Sequence, residues 1–119
     1  MDFDAIVENI VESSSGAFAA VIMANDGVPL AEFRKPDSTM DALTIGIEYT
    51  TVISEIKKAS EVLEAGRLEE MTIRSDSIVF VVRLINDEYF IALVLSPDGN
   101  SGKGRYLARI AAPKLAEEL

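Results

Sequence analysis

The segment Gly99-Asn100-Ser101-Gly102-Lys103-Gly104 is where residue types and spacing first suggest chemistry. It follows a predicted strand and opens a predicted helix, the setting in which backbone N–H groups cradle a phosphate. The phosphate-loop pattern G-x-x-x-x-G-K-[ST] needs Gly where Pro97 stands and Ser or Thr where Gly104 stands. It fails at both, and no strand follows to complete a β-α-β unit. The segment reads as a flexible connector or a partner contact. Two carboxylate pairs, Asp87-Glu88 and Glu69-Glu70, come next. General acid–base catalysis needs carboxyls sharing a cleft with divergent pKa values. Neighbours on a strand point to opposite faces, so neither pair is built for that work. An arginine can stabilise phosphoryl transfer on a partner's nucleotide. Arg34, Arg67, Arg74, Arg83, Arg105 and Arg109 are all candidates, and the sequence selects none.

Composition removes further chemistry. The chain has no His and no Cys. That excludes Ser-His-Asp triads, Cys nucleophiles, structural zinc sites and disulfides. No cofactor and no metal is expected. At 119 residues, 49% of them apolar, one domain spanning 1–119 with a single core fits. No apolar run approaches the ~18 residues a membrane helix needs, so no direct membrane insertion is expected. The acidic opening Met1-Asp2-Phe3-Asp4 resembles neither a secretory signal nor a transit peptide. With no cysteine to indicate an oxidising compartment, a cytoplasmic location is expected. The net charge of −9 argues against nucleic acid as a partner. The charge is uneven: residues 1–33 hold six acids and no base, whereas Lys103, Arg105, Arg109 and Lys114 crowd near the end. Two faces of opposite sign, each suited to a protein partner, are one reading. Solvated helix surfaces are the other.

Periodicity supplies the elements. Phe3, Ile6, Val7, Ile10 and Val11 make one apolar stripe on a helix over 2–13. Residues 17–24 form a continuous apolar strand. Asn25-Asp26-Gly27 then signals a hairpin turn. The partner strand, Val28 to Phe33, contains Pro29 and belongs at a sheet edge. A long helix over 39–64 follows, with Asp37 or Ser38 as its expected cap. Strands are expected at 68–74, 77–84 and 89–95. A Gly-rich loop over 96–104 leads to a last helix with Leu107, Ile110, Ala111, Leu115 and Leu119 inward. Pro113 predicts a kink or break there. The order α-β-β-α-β-β-β-α implies an α/β (α+β) sandwich, a five-stranded antiparallel sheet with helices on both faces.

The long helix carries more than one apolar face. Ile45, Tyr49, Val52, Ile53, Ile56 and Leu63 form a broad one. Met40, Leu43 and Ile47 form a second ridge, continued by Thr50 and Ser54. A polar stripe containing Thr44, Glu48, Thr51, Glu55 and Lys58 separates them. A second ridge asks for a second neighbour. Gly46 permits close backbone approach at a cost of about 1 kcal/mol against Ala. The short strand Met71-Thr72-Ile73-Arg74 is expected at a sheet edge. Edge strand and helix ridge together suggest self-association about a two-fold axis.

The apolar strand followed by Asn25-Asp26-Gly27-Val28-Pro29-Leu30-Ala31 resembles the signature hairpin of the Roadblock (dynein light chain) domain. So does the helix ending Leu63-Glu64-Ala65-Gly66-Arg67-Leu68-Glu69-Glu70-Met71-Thr72-Ile73, with the two apolar strands and the final loop and helix. The resemblance covers essentially the whole chain and is nearest the prokaryotic MglB-type members. It implies a Roadblock-like (profilin-like) sandwich that dimerises through the long helix and third strand into a ten-stranded sheet. It implies no active site and a partner among Ras-like small GTPases. That makes the chain a regulator or scaffold, with stimulation of GTP hydrolysis as the MglB-type form of regulation. The expected homodimer interface is Met40, Leu43, Gly46, Ile47, Thr50, Ile53, Met71 and Ile73. The expected partner-binding residues are Thr44, Glu48, Thr51 and Glu55. A small-molecule sensor or adaptor of profilin or PAS shape is the alternative. Its strands would need polar groups converging on a pocket, and these strands are aliphatic.

Overall fold

A computed structural model describes residues 1–39 and 41–119. Met40, expected in the dimer interface, lies outside the described residues. The elements are α1 (Phe3–Ser13), β1 (Ala17–Ala24), β2 (Pro29–Arg34), α2 (Ala42–Val62), β3 (Glu70–Arg74), β4 (Val79–Leu84), β5 (Tyr89–Leu95) and α3 (Ser101–Glu118). The five strands form one antiparallel sheet in the order β2-β1-β5-β4-β3. β2 and β3 are its edges. β1, β5 and β4 are covered on both faces, which is why their sequences run apolar without alternation. Val7, Val11 and Leu115 of α1 and α3 bury one face against Ile22, Val81 and Leu93. Ile53 of α2 buries the other against Met23, Phe80 and Phe90.

Local chemistry sets the boundaries. The Asp2 carboxylate accepts from the Ala5 N–H at 3.1 Å and starts α1. At the hairpin, Gly27 has φ 90° and Asp26 accepts from the Val28 N–H at 3.2 Å. β2 begins at Pro29, opposite Met23, where a bulge interrupts the β1–β2 register. α2 starts later than expected, because Asp41 rather than Asp37 or Ser38 caps it. The Asp41 carboxylate takes hydrogen bonds from Leu43 N–H and Thr44 Oγ1, both at 3.0 Å. β4 loses two expected residues to the preceding turn, where Ser75 Oγ accepts from the Ser77 and Ile78 N–H groups.

α3 departs most from expectation. It begins at Ser101, because Asn100 accepts from the Lys103 N–H at 3.0 Å. The Gly-rich connector is therefore shorter, and Gly102 and Gly104 are helical. Gly104 is buried, and a Cβ on it would stand 2.5 Å from Leu93 Cδ2. Small residues at Gly104, Ala108 and Ala112 let the helix backbone approach the sheet closely. The inward face turns accordingly. Leu115 is buried and Leu107, Ala111 and Leu119 are partly so, but Ile110 is 41% exposed. α3 also runs through Pro113 without breaking. The ring is exposed, while Ala112 and Leu115 on either side are anchored in the core.

Candidate functional site

One surface open to a partner is the β3 edge and the flank of α2 on its side. β3 pairs only with β4, so one row of its backbone groups faces outward. Met71 and Ile73 point to the α2 side of the sheet and are half-buried. At ~100° per residue, Ala42, Gly46 and Ile53 share the side of α2 that faces the sheet. Ile45, Tyr49, Val52 and Ile56 lie along one flank. Tyr49 stacks on Phe80 of β4 with centroids 5.0 Å apart, which fixes that flank as the one toward β3. Val52 there is 39% exposed.

The expected interface residues are thereby divided. Gly46 is buried against Met23, whose Cε would lie 3.1 Å from a Cβ, and Ile53 is 1% exposed. Both belong to the core of the chain and offer no surface to a second copy. Ile47 is 45% exposed but looks the other way, with its Cγ1 3.6 Å from the Cβ position of Gly27 in the β1–β2 turn. Leu43 and Thr50, partly buried, sit on that same far flank. Met71 and Ile73 lie on the edge strand β3, half-buried. Periodicity assigns the flank that faces β3 to the inside of the chain. Tertiary packing takes only Ile53 fully from it and leaves Ile45, Tyr49, Val52 and Ile56 only partly covered.

Thr44, Glu48, Thr51 and Glu55 line the outward ridge of α2, all exposed. Thr44 is tied to the Asp41 cap, and Glu55 pairs with Lys58 at 3.4 Å.

The β3 edge is held at one end by an ion-pair cluster. Arg105 of α3 donates from Nε, at 3.2 Å, and from its NH2 group to Glu70 Oε1. Arg83 of β4 reaches Glu70 at 3.3 Å and Glu69 at 3.4 Å. Glu69 and Glu70 therefore converge on one arginine, contrary to the alternation expected of strand neighbours, because Glu69 precedes the regular strand. The Arg105 hydrogen bond holds the Glu70 carboxyl below its ordinary value of 4.5, helped by Arg83 and opposed by partial burial. Asn25 joins two turns: its backbone N–H donates to Glu88 O at 2.8 Å and its side chain to Asp87 O. Lys57 Nζ donates to the same Asp87 carbonyl, and Arg67 pairs with the Asp87 carboxylate at 3.2 Å.

The other candidates have ordinary roles. The N–H groups of Gly99, Asn100 and Ser101 bond to Ser96, Ser15 and Gly99 carbonyls, so the Gly-rich segment offers no open phosphate cradle there. Arg74 donates to Pro97 O at 2.9 Å, and Arg109 lies over the Tyr106 ring at 5.4 Å. Arg34 ends β2, exposed. Among the described residues no cluster of three acidic, His or Cys side chains could hold a metal ion, and no helix is long and apolar enough to cross a membrane.

No family model and no curated protein sequence matches the chain. Solved structures do. MglC from Myxococcus xanthus is 36% identical over 100% of both chains, with a TM-score of 0.70. A Roadblock/LC7 domain from Streptomyces avermitilis is 16% identical with a TM-score of 0.84, covering 99% of this chain and 98% of that one. The gliding protein MglB from Thermus thermophilus is 16% identical with a TM-score of 0.82, covering 95% of this chain and 84% of that one.

Proposed function

We propose that this chain, which belongs to the same family as MglC from Myxococcus xanthus and shares the fold of the Roadblock/LC7 domain and MglB, is a non-enzymatic homodimeric regulator or scaffold of a Ras-like small GTPase of the MglB type. The observation that carries the reading is the unpaired β3 edge beside a half-exposed apolar flank of α2. Two copies pairing β3 to β3 antiparallel extend the sheet to ten strands and bring the two α2 flanks together. Ile45, Tyr49, Val52, Ile56, Met71 and Ile73 then form the interface. This differs from the sequence-derived set in the helix residues and keeps the strand. The outward ridges of the two α2 helices lie close to the two-fold axis in this dimer. Thr44, Glu48, Thr51 and Glu55 of both copies make one composite docking surface for the GTPase.

No residue of the chain is assigned a catalytic step. Binding energy selects one conformation of the GTPase's own switch loops, and any acceleration of hydrolysis follows from that. The test is a pull-down from the native extract with the purified chain as bait, run once with GDP and once with a non-hydrolysable GTP analogue. A Ras-like GTPase captured in one nucleotide state supports a regulator. Capture in both supports a scaffold. No GTPase in either overturns the assignment.

A further inference from the structure

We infer that the α1/α3 face binds the same face of a second copy of this chain, joining dimers into an open, salt-sensitive assembly. α1 lies over β2 and β1, and α3 lies over β5 and β4, side by side on the sheet face opposite α2. The outer side of α1 carries Glu8 and Glu12 and no base. α3 carries the exposed bases Lys103, Arg105, Arg109 and Lys114 against Glu117 and Glu118 in its last turn, so it is net basic, and Lys114 borders the gap to α1. Between the helices runs an apolar groove whose walls include Ile6 and Ile10 on one side and Leu107 and Ile110 on the other. Ile110 stands 41% exposed in its wall. An acidic wall, an apolar seam and a basic wall form a self-complementary surface. A two-fold axis along the seam lays the α1 of each copy over the α3 of the other, so every acidic wall meets a basic one. A foreign partner would have to supply both signs in that order, whereas a second copy carries them by symmetry.

The overall charge of −9 does not defeat this contact. The acids on the far side of α2 are separated from the seam by most of the 23 Å short axis of the molecule. At about 0.15 M salt, charges farther apart than ~8 Å are largely screened, and the contacts across the seam decide.

Size sets the strength. An α1 of 11 residues is about 16 Å long and an α3 of 18 about 27 Å. Two such helices ~10 Å apart offer on the order of 400 Å² per copy, about half of a standard interface. One contact is weak alone. The rest of the inference stands on the proposed β3-edge dimer, which carries two such faces on one side of its sheet. α3 is the helix nearer β3, so across the dimer the row reads acidic, basic, basic, acidic. Two dimers stacked squarely set acid on acid. Shifted by one protomer they set acid on base, and each dimer then engages two others. The assembly does not close, and its mean mass rises with concentration.

The experiment is sedimentation velocity on the full chain over a concentration series, at about 0.15 M and about 0.5 M NaCl. The wild type is expected to exceed the dimer mass, twice 12.9 kDa, at the lower salt and to fall to it at the higher. Glu8→Lys with Glu12→Lys, and separately Lys103→Glu with Lys114→Glu, are expected to stop at the dimer in both salts. An equal mixture of these two variants is expected to grow past the dimer again. That recovery excludes misfolding as the cause of the loss. A wild type that never exceeds the dimer at the lower salt overturns the inference. So does growth that ignores both reversals, or a mixture that stays at the dimer mass. Failure of the dimer reading looks different. The wild type at high salt then sediments at 12.9 kDa, while face pairing still answers to salt and to the mixed variants.

Discussion

Val52→Asp separates the structural reading of the dimer from the one periodicity suggests. Val52 keeps 39% of its surface exposed on the α2 flank that faces β3. Burying a valine fully stabilises by about 1.5–2 kcal/mol, so covering that remainder contributes roughly 0.6–0.8 kcal/mol per copy and twice that per dimer. Aspartate forfeits this contribution. It also places a carboxylate near its own symmetry mate in a surface that must lose water, at about 3–5 kcal/mol. A total near 5 kcal/mol raises the dimer dissociation constant by about three to four decades, at ~1.4 kcal/mol per decade. Size-exclusion chromatography with light scattering at low-micromolar concentration should move the mass from twice 12.9 kDa to 12.9 kDa. Circular dichroism should show an unchanged fold, because Val52 is outside the buried core. Ile47→Asp is the control. Its side chain is as exposed but looks toward the β1–β2 turn, so its dimer should persist. A dimeric Val52→Asp, or a monomeric Ile47→Asp, would refute the placement of the interface.

Further outcomes follow from other contacts. Glu48→Lys with Glu55→Lys should reduce capture of the GTPase by at least about tenfold and leave the dimer mass unchanged. The ion pair this change removes is the exposed Glu55–Lys58 contact, worth at most ~0.5 kcal/mol. Gly104→Ala gains up to ~1 kcal/mol of helix propensity but drives a methyl to within 2.5 Å of buried Leu93, an overpacking of about 1–3 kcal/mol. Urea unfolding should register a net loss of roughly 1 kcal/mol. The Glu70 carboxyl is held below its ordinary value of 4.5, so the stability it contributes is present above that pH and is lost as pH falls through its lower folded value. Glu70→Gln should therefore lower Tm at neutral pH and flatten the fall of Tm below about pH 4.5. With Arg105 half exposed, the effect should be at most ~1 kcal/mol.

Element type and order were legible in the residues because they depend on local chemistry. The alternation-free runs at 17–24 and 89–95 match β1 and β5 to the residue. Asp2 and the Asp26-Gly27 turn act through atoms a few positions away and needed no tertiary context, whereas the bonds of Asn25 to Asp87 and Glu88 are long-range. Pro29 placed β2 at an edge because a missing donor excludes the interior of a sheet. The start of α2 was not legible, because Asp37, Ser38 and Asp41 can all cap a helix. The geometry that favours Asp41, with Leu43 and Thr44 both bonded to its carboxylate, appears only when the chain is folded.

Residue pattern alone determined that this chain makes a two-faced antiparallel sandwich with an apolar surplus on its long helix and an edge strand beside it. Only the tertiary structure decided which apolar ridge of that helix is consumed and which is offered. Periodicity ranks directions around a helix axis by hydrophobicity, but the direction that packs inward is set by which sheet residues it meets. Met23 beneath Gly46 and Phe80 against Tyr49 turn the helix so that Ile53 is covered and Val52 is not. In the same way, Leu93 drawn against Gly104 sinks the small-residue face of α3 and leaves Ile110 outside. Both are long-range contacts, and no spacing within either helix encodes them.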